Sequence, residues 1–105
     1  MSFQAEIRTM EGVRWQGNVS SLKAPAADGY FGVLTGHAPT IVQLGAGTVA
    51  LECADGPDIF FAVDGGVAEI NRDHVLLLAE WLSPRCSLAE AARYCLQRAA
   101  RKSLS

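Results

Sequence analysis

Three residue types in this 105-residue chain have the chemistry of a cysteine hydrolase: Cys53 as nucleophile, His37 as general base and Asp64 as the carboxylate that orients the base. Such a thiol needs a lowered pKa, which a helix N-terminus or a neighbouring cation supplies. Cys53 falls instead inside an apolar run typical of a strand. Because nothing in the spacing brings the three residues together, the pattern argues against this enzyme, which is kept only as an alternative.

Other candidate ligands are isolated. His74 lies in the polar segment 71–74 with no second ligand at metal spacing, so we expect a solvated turn residue. Residues 45–47 carry two glycines, but no helix follows them as a dinucleotide fingerprint requires. Three cysteines, an odd number without a Cys-x-x-Cys pair, indicate reduced thiols. We therefore predict no catalytic residue, no metal and no cofactor.

Composition excludes several classes of protein. Half of the residues are apolar, 19% are charged and the formal net charge is −2, as in a small globular domain without the basic surface of a nucleic-acid-binding protein. No apolar run reaches the roughly 20 residues that cross a bilayer, and the first residues lack a signal-peptide pattern. We expect a cytoplasmic protein that binds no nucleic acid.

Short alternating or apolar runs bounded by turn residues predict β-structure through residue 82. The turns are expected at residues 54–57, 64–66 and 71–74, which are rich in Gly, Asp, Asn and Pro. The fold class is therefore mainly β, a small sandwich of about 8–10 short strands in two antiparallel sheets. The predicted strands include residues 3–8, 12–19, 40–44, 48–53, 59–63, 67–70 and 75–78.

One C-terminal helix is expected after Pro84. Ser87 and Glu90 have the spacing of a capping box, and helix-forming residues follow to about Arg101. We divide the chain into a sandwich at residues 1–82 and a helical part at 83–105. A lone helix of four turns is marginal in water, so an apolar stripe should dock on the sandwich or on a partner. That stripe comprises Leu88, Ala92 (or Ala91), Cys95, Leu96 and Ala99.

Residues 29–39 combine three glycines, a histidine and a proline around a short apolar run, which predicts a turn, a strand and a second turn with His37 exposed at the corner. In order and spacing, residues 24–25, 28–39, 61–70 and 74–80 resemble the epsilon subunit of F-type ATP synthases. The Gly-His-Ala-Pro block at residues 36–39 is the most specific part of this resemblance.

The resemblance implies a non-catalytic rotor subunit that couples the gamma subunit to the polar loops of the membrane c-ring. It would be peripheral to the cytoplasmic face of the bacterial inner membrane. The corresponding positions predict a ring-facing surface of Tyr30, Phe31, Val33 and His37. Asp28 is a candidate charge partner, because Tyr30 replaces a carboxylate that is frequent in the family.

Further departures from the family pattern are Thr35 in place of proline and Asp64 in place of serine. The family commonly ends in two helices and carries an ATP-binding segment, which residues 87–92 do not match. An ATP-sensing inhibitory role is therefore expected to be weak or absent. The alternative from a different class is a free-standing β-sandwich that binds a ligand or assembles with other proteins.

Overall fold

The computed structural model describes residues 1–103, which form six strands and one helix. The predicted class, mainly β with one C-terminal helix, is confirmed. The elements are β1 (Phe3–Thr9), β2 (Gly12–Ala26), β3 (Gly29–Leu34), β4 (Thr40–Cys53), β5 (Ile59–Ile70), β6 (His74–Ala79) and α1 (Leu88–Ser103).

The strands are fewer and longer than predicted. Residues 40–44 and 48–53 both belong to β4, and residues 59–63 and 67–70 both belong to β5. The turn predicted at residues 64–66 is wrong, because β5 continues through these residues. It stays paired with β4 there, with Gly66 opposite Leu44 and Asp64 opposite Ala46. The turns after β4 and after β5 are confirmed.

At Gly66 the backbone has φ +128°, and a Cβ would collide with the carbonyl oxygen of Leu78. Glycine is therefore required where β5 bends against β6. A glycine pair that reads as a hairpin turn in the sequence is a bend inside one long strand.

The sheet closes on itself. Its strand order is β1-β6-β5-β4-β2-β3, and β1 also pairs with β2. Five strands therefore form a closed barrel, and β3 extends the sheet beyond β2. All pairings are antiparallel except β1 with β6, which run parallel from Gln4–His74 to Arg8–Leu78. The expectation of purely antiparallel sheets is wrong at this one pair.

Alternating side chains fill the interior. In β1, for example, Phe3, Ala5 and Ile7 are buried while Gln4 and Arg8 are exposed. This period of two follows from the pleat of a strand. The largest fully buried apolar side chains include Ile7, Leu22, Leu51, Ile70 and Leu77.

The segment between β6 and α1 is fastened to β5. The backbone N–H groups of Ser83 and Cys86 donate to the carbonyls of Ala62 and Phe60, at 2.9 and 3.0 Å. The buried Ser83 hydroxyl accepts from the Ala62 N–H at 2.8 Å and donates to the Pro84 carbonyl at 2.9 Å. The start of the helix is thereby fixed against the barrel.

The predicted capping box of α1 is confirmed. The backbone N–H of Ser87 donates to the Glu90 carboxylate at 3.0 Å, and the Glu90 N–H donates to the Ser87 hydroxyl at 3.2 Å. The Ser87 backbone bond holds the pKa of Glu90 below its ordinary value. Both groups satisfy donors that a helix start otherwise leaves free.

The face by which α1 meets the barrel matches the predicted stripe only in part, at Ala91, which was the alternative to Ala92, and at Cys95. Ala91 is the fully buried residue of the helix, and Cys95 is half-buried with its sulfur 3.8 Å from the Thr48 hydroxyl. Leu88 and Leu96 are 58% and 73% exposed, and Ala92 and Ala99 are exposed as well. The prediction that this stripe docks on the sandwich is therefore wrong for Leu88, Ala92 and Leu96. Ala99 lines the edge of the groove between the helix and the barrel. Docking of the stripe on a partner stays a prediction.

Candidate partner-binding surfaces

Residues 29–39, which we call the β3 segment, form the predicted turn, strand and turn. β3 pairs with β2 alone, with Tyr30 opposite Pro25 and Phe31 opposite Ala24. After β3 the backbone N–H of Gly36 donates to the Arg72 carbonyl at 3.2 Å, which ties the segment to the β5–β6 turn. His37 is exposed there, and its Nδ1 donates to the Ala38 carbonyl at 2.8 Å.

The predicted ring-facing residues do not share one face. Tyr30 is 58% exposed and Asp28 is exposed, whereas Phe31 is half-buried against the core. The prediction that Val33 faces the ring is wrong. Its side chain is 2% exposed and belongs to the core, so it cannot contribute to a surface. Leu34, 67% exposed, points outward in its place. The alternation along β3 contained this signal, since residues 31 and 33 lie on the face opposite to residues 30 and 34.

A second apolar surface was missed by sequence reasoning. Ile41, Val67 and Leu78 are exposed by 72%, 41% and 47% on the outer side of β4, β5 and β6. Val67 lies opposite both Gln43 and Leu78 in the strand pairings. We call this surface, formed by Ile41, Gln43, Val67 and Leu78, the outer groove; its concavity measures about 530 Å³.

The outer groove is continuous with the β3 segment. Ile41 and Gln43 also line a neighbouring concavity of about 720 Å³ that reaches Tyr30 and Phe31. Contiguous exposed apolar side chains of this kind mark protein–protein contacts. The run of apolar residues at 75–79 signalled a strand, but which of its side chains face outward depended on pairing.

The residues of the alternative hydrolase are not brought together. The Asp64 carboxylate is bonded to Arg98 and Lys102, and the His37 ring to the Ala38 carbonyl. Burial raises the pKa of the Cys53 thiol, which a nearby Arg85 only partly offsets. Within residues 1–103, no three metal-ligating side chains cluster. The thiol therefore lacks both a base and thiolate character.

The part of the chain that the structure describes has no helix of the length and hydropathy needed to cross a membrane.

Comparison with known proteins gives a match over most of the chain. A family model described as the β-sandwich domain of the ATP synthase delta/epsilon chain matches residues 2–83. The ATP synthase epsilon chain of Paracoccus denitrificans is 44% identical over 72 residues, 69% of this chain and 49% of that relative. That of Chlorobium limicola is 34% identical over 82 residues, 78% of this chain and 93% of the relative.

One solved structure has the same fold across nearly the whole chain. A subunit of the Euglena gracilis mitochondrial ATP synthase, in a complex described as OSCP, F1 and c-ring, superposes with a TM-score of 0.74 at 24% identity. The match covers 99% of this chain and 67% of that subunit. This chain spans about half the length of the P. denitrificans relative.

Proposed function

This chain belongs to the delta/epsilon family of ATP synthase subunits, and we propose that it is a non-catalytic subunit of the rotor. In this role it binds the gamma subunit on one surface and the polar loops of the c-ring on another. Torque is transmitted through a rigid body, for which a closed, well-packed barrel is suited. The observation that carries the proposal is the continuous apolar surface formed by the outer groove and the β3 segment.

We assign the outer groove to gamma. Val67 and Leu78 face each other across β5 and β6, and Ile41 is the most exposed apolar side chain of the groove. Burying such side chains against a partner supplies roughly 25 cal/mol per Å² of apolar area. The groove is formed by paired strands, so a partner meets a preorganised surface and binding costs little ordering.

We assign the β3 segment to the c-ring. Tyr30 and Leu34 supply exposed apolar area, and His37 supplies an exposed ring at the corner. Asp28 is exposed nearby, and we expect its carboxylate to pair with a basic group on the ring. Phe31 supports the surface from the core side, and Val33 is excluded from it by burial.

The location that follows is peripheral, on the cytoplasmic face of the bacterial inner membrane, through the assembled complex. ATP-sensing inhibition is weak or absent in this proposal. This part of the proposal rests on residues 87–92, which do not match the ATP-binding segment of the family.

A binding experiment with a matched control tests the gamma assignment. Val67→Asp places a charge in the outer groove, and Val13→Asp makes the same change on β2 outside it, at a similar exposure of 48% against 41%. With purified gamma, we expect the original chain and Val13→Asp to bind at micromolar concentrations. Val67→Asp should bind at least about tenfold more weakly, because it buries an unpaired charge.

Equal binding by both variants would overturn the groove assignment, and failure of the original chain to bind gamma would overturn the rotor function. The ring assignment is tested separately with Leu34→Ser and His37→Ala combined. This double variant should retain gamma binding and lose attachment to the c-ring in reconstituted complexes.

A further inference from the structure

The helix α1 has little apolar packing on the barrel. Ala91 is its fully buried residue, and alanine contributes a single methyl group. Between the helix and strands β4 and β5 lies a groove of about 400 Å³, lined by Ala46, Val63, Cys95 and Ala99 among others. A space of that size means that many side chains on the two sides do not touch. Something other than close packing must hold the C-terminal half of the helix.

Two cationic side chains near the C-terminus of the helix contact the same carboxylate. Asp64, in β5, accepts a hydrogen bond from Arg98 Nε at 2.9 Å and from Lys102 Nζ at 3.1 and 3.3 Å. Its side chain is only 11% exposed, while those of Arg98 and Lys102 are 34% and 58% exposed. The guanidinium of Arg98 also lies 5.1 Å from the centre of the Trp81 ring. We call these four residues the helix latch.

The barrel side of the helix latch is fixed in place. The Asp64 backbone N–H donates to the Trp81 carbonyl at 3.0 Å, and the Glu80 N–H donates to the Gly65 carbonyl at 3.0 Å. Asp64 directly precedes the bend at Gly65 and Gly66, where both backbones have positive φ. The bend therefore holds the carboxylate against the helix, and the two cations, one helical turn apart, reach it from α1.

The charges of α1 leave Asp64 without a substitute. The helix carries four basic side chains and one acidic one, Glu90, which is engaged by Ser87 in the capping box. Asp64 is thus the acidic partner that both Arg98 and Lys102 are seen to use. Removing it takes away the carboxylate that both cations contact beside the apolar groove, which disfavours the docked position.

We propose that the helix latch holds α1 on the barrel by the attraction of Arg98 and Lys102 to Asp64. When these charges are screened or removed, the helix leaves the barrel as a unit while the barrel stays folded. Free of the barrel, a 16-residue helix is marginal and its amides exchange rapidly. High salt weakens the attraction because these side chains are partly exposed to solvent. This inference does not rest on the proposed rotor function.

Amide hydrogen exchange on the full chain tests the latch, with the amides of β5 and β6 as an internal reference. Between 0.05 and 1 M KCl, we expect protection of the α1 amides from residue 94 onward to fall about tenfold relative to the sheet amides. Asp64→Asn, which keeps the side-chain shape, should show the same loss at low salt and little further dependence on KCl. Asp55→Asn, an equal charge change in the exposed β4–β5 turn, should behave as the original chain does.

Two results would overturn the proposal. One is helix protection that is the same in Asp64→Asn, in Asp55→Asn and at both salt concentrations. The other is a parallel loss in helix and sheet amides, since Asp64 would then stabilise the barrel rather than the helix. Lys102→Gln approaches the latch from the helix side and should reproduce part of the loss without altering any strand.

Discussion

The backbone N–H of Thr48 donates a hydrogen bond to the Tyr30 hydroxyl over 2.9 Å, which joins β3 to β4 through a side chain. Gly47 makes this approach possible, because a Cβ there would collide with the same hydroxyl and with the Pro25 ring. Tyr30 is 58% exposed and is nevertheless held in one orientation. The aromatic part of the proposed ring-facing surface is therefore fixed before any partner arrives.

Replacing Tyr30 with Phe should destabilise the fold modestly. The substitution keeps the ring and removes the acceptor of the Thr48 N–H, which water then satisfies in part. We expect the free energy of unfolding in urea to fall by about 0.5–1.5 kcal/mol. Tyr94→Phe is the control, because the Tyr94 hydroxyl has no hydrogen-bond partner within residues 1–103. Equal losses in the two variants would contradict the structural role of this bond.

Adjacent residues of β3 should respond in opposite ways to truncation. Val33→Ala removes two buried methyl groups and should lower the free energy of unfolding by about 2 kcal/mol. Leu34→Ala alters an exposed side chain and should change it by less than about 0.5 kcal/mol. Urea titrations monitored by circular dichroism separate the two cases. A large loss at Leu34 with none at Val33 would mean that the strand faces the other way.

Much of the barrel could be predicted because its signals are local. Alternation in β1, the turn residues after β4, and the Ser87–Glu90 capping box each depend on neighbours within a few positions, and each is found in the structure. The β3 segment was likewise located correctly. The resemblance predicts Val33 at the surface, but the pleat of β3 turns that side chain into the core and exposes Leu34.

The bend in β5 and the docking face of α1 depend on contacts between positions that are far apart in the sequence. Gly65 and Gly66 suit a hairpin turn as well as a bend, and only the pairing of β5 with β4 and β6 decides between them. Part of the docking face of α1 was also out of reach. Ala91 and Cys95 of its apolar stripe do face the barrel, but the contact of Arg98 with the Asp64 carboxylate, 34 positions earlier in the chain, could not be read from the stripe.

The cysteines should react slowly with alkylating agents in the folded protein. Burial raises the pKa of both Cys53 and Cys86, which lowers the thiolate fraction near neutral pH. At pH 7.5 we expect iodoacetamide to modify these two thiols at least about tenfold more slowly than it does free glutathione, as followed by peptide mass spectrometry. The same protein in 6 M urea provides the fully reactive control. Rapid modification of Cys53 in the folded state would instead revive the hydrolase alternative.

Acid should release α1 before it unfolds the barrel. Burial by itself raises the pKa of Asp64, but hydrogen bonds from Arg98 and Lys102 outweigh burial and hold that pKa below its ordinary value. Stability that arises from a lowered carboxyl pKa is fully present above the unfolded value of about 3.9 and is lost as the pH falls through the folded value. Docking of the helix should therefore be constant from pH 7 to 5 and weaken below about pH 4.

Emission from Trp81 reports this release, because the ring lies beneath Arg98 and becomes hydrated when the helix leaves. A Trp15→Phe background removes the other tryptophan. We expect a shift to longer wavelength below about pH 4 that Asp64→Asn abolishes, since that variant is released at every pH. Glu90 has a lowered pKa as well and titrates in the same direction, so Glu90→Gln shows how much of the shift belongs to the capping box. An acid transition that persists unchanged in Asp64→Asn would contradict its assignment to Asp64.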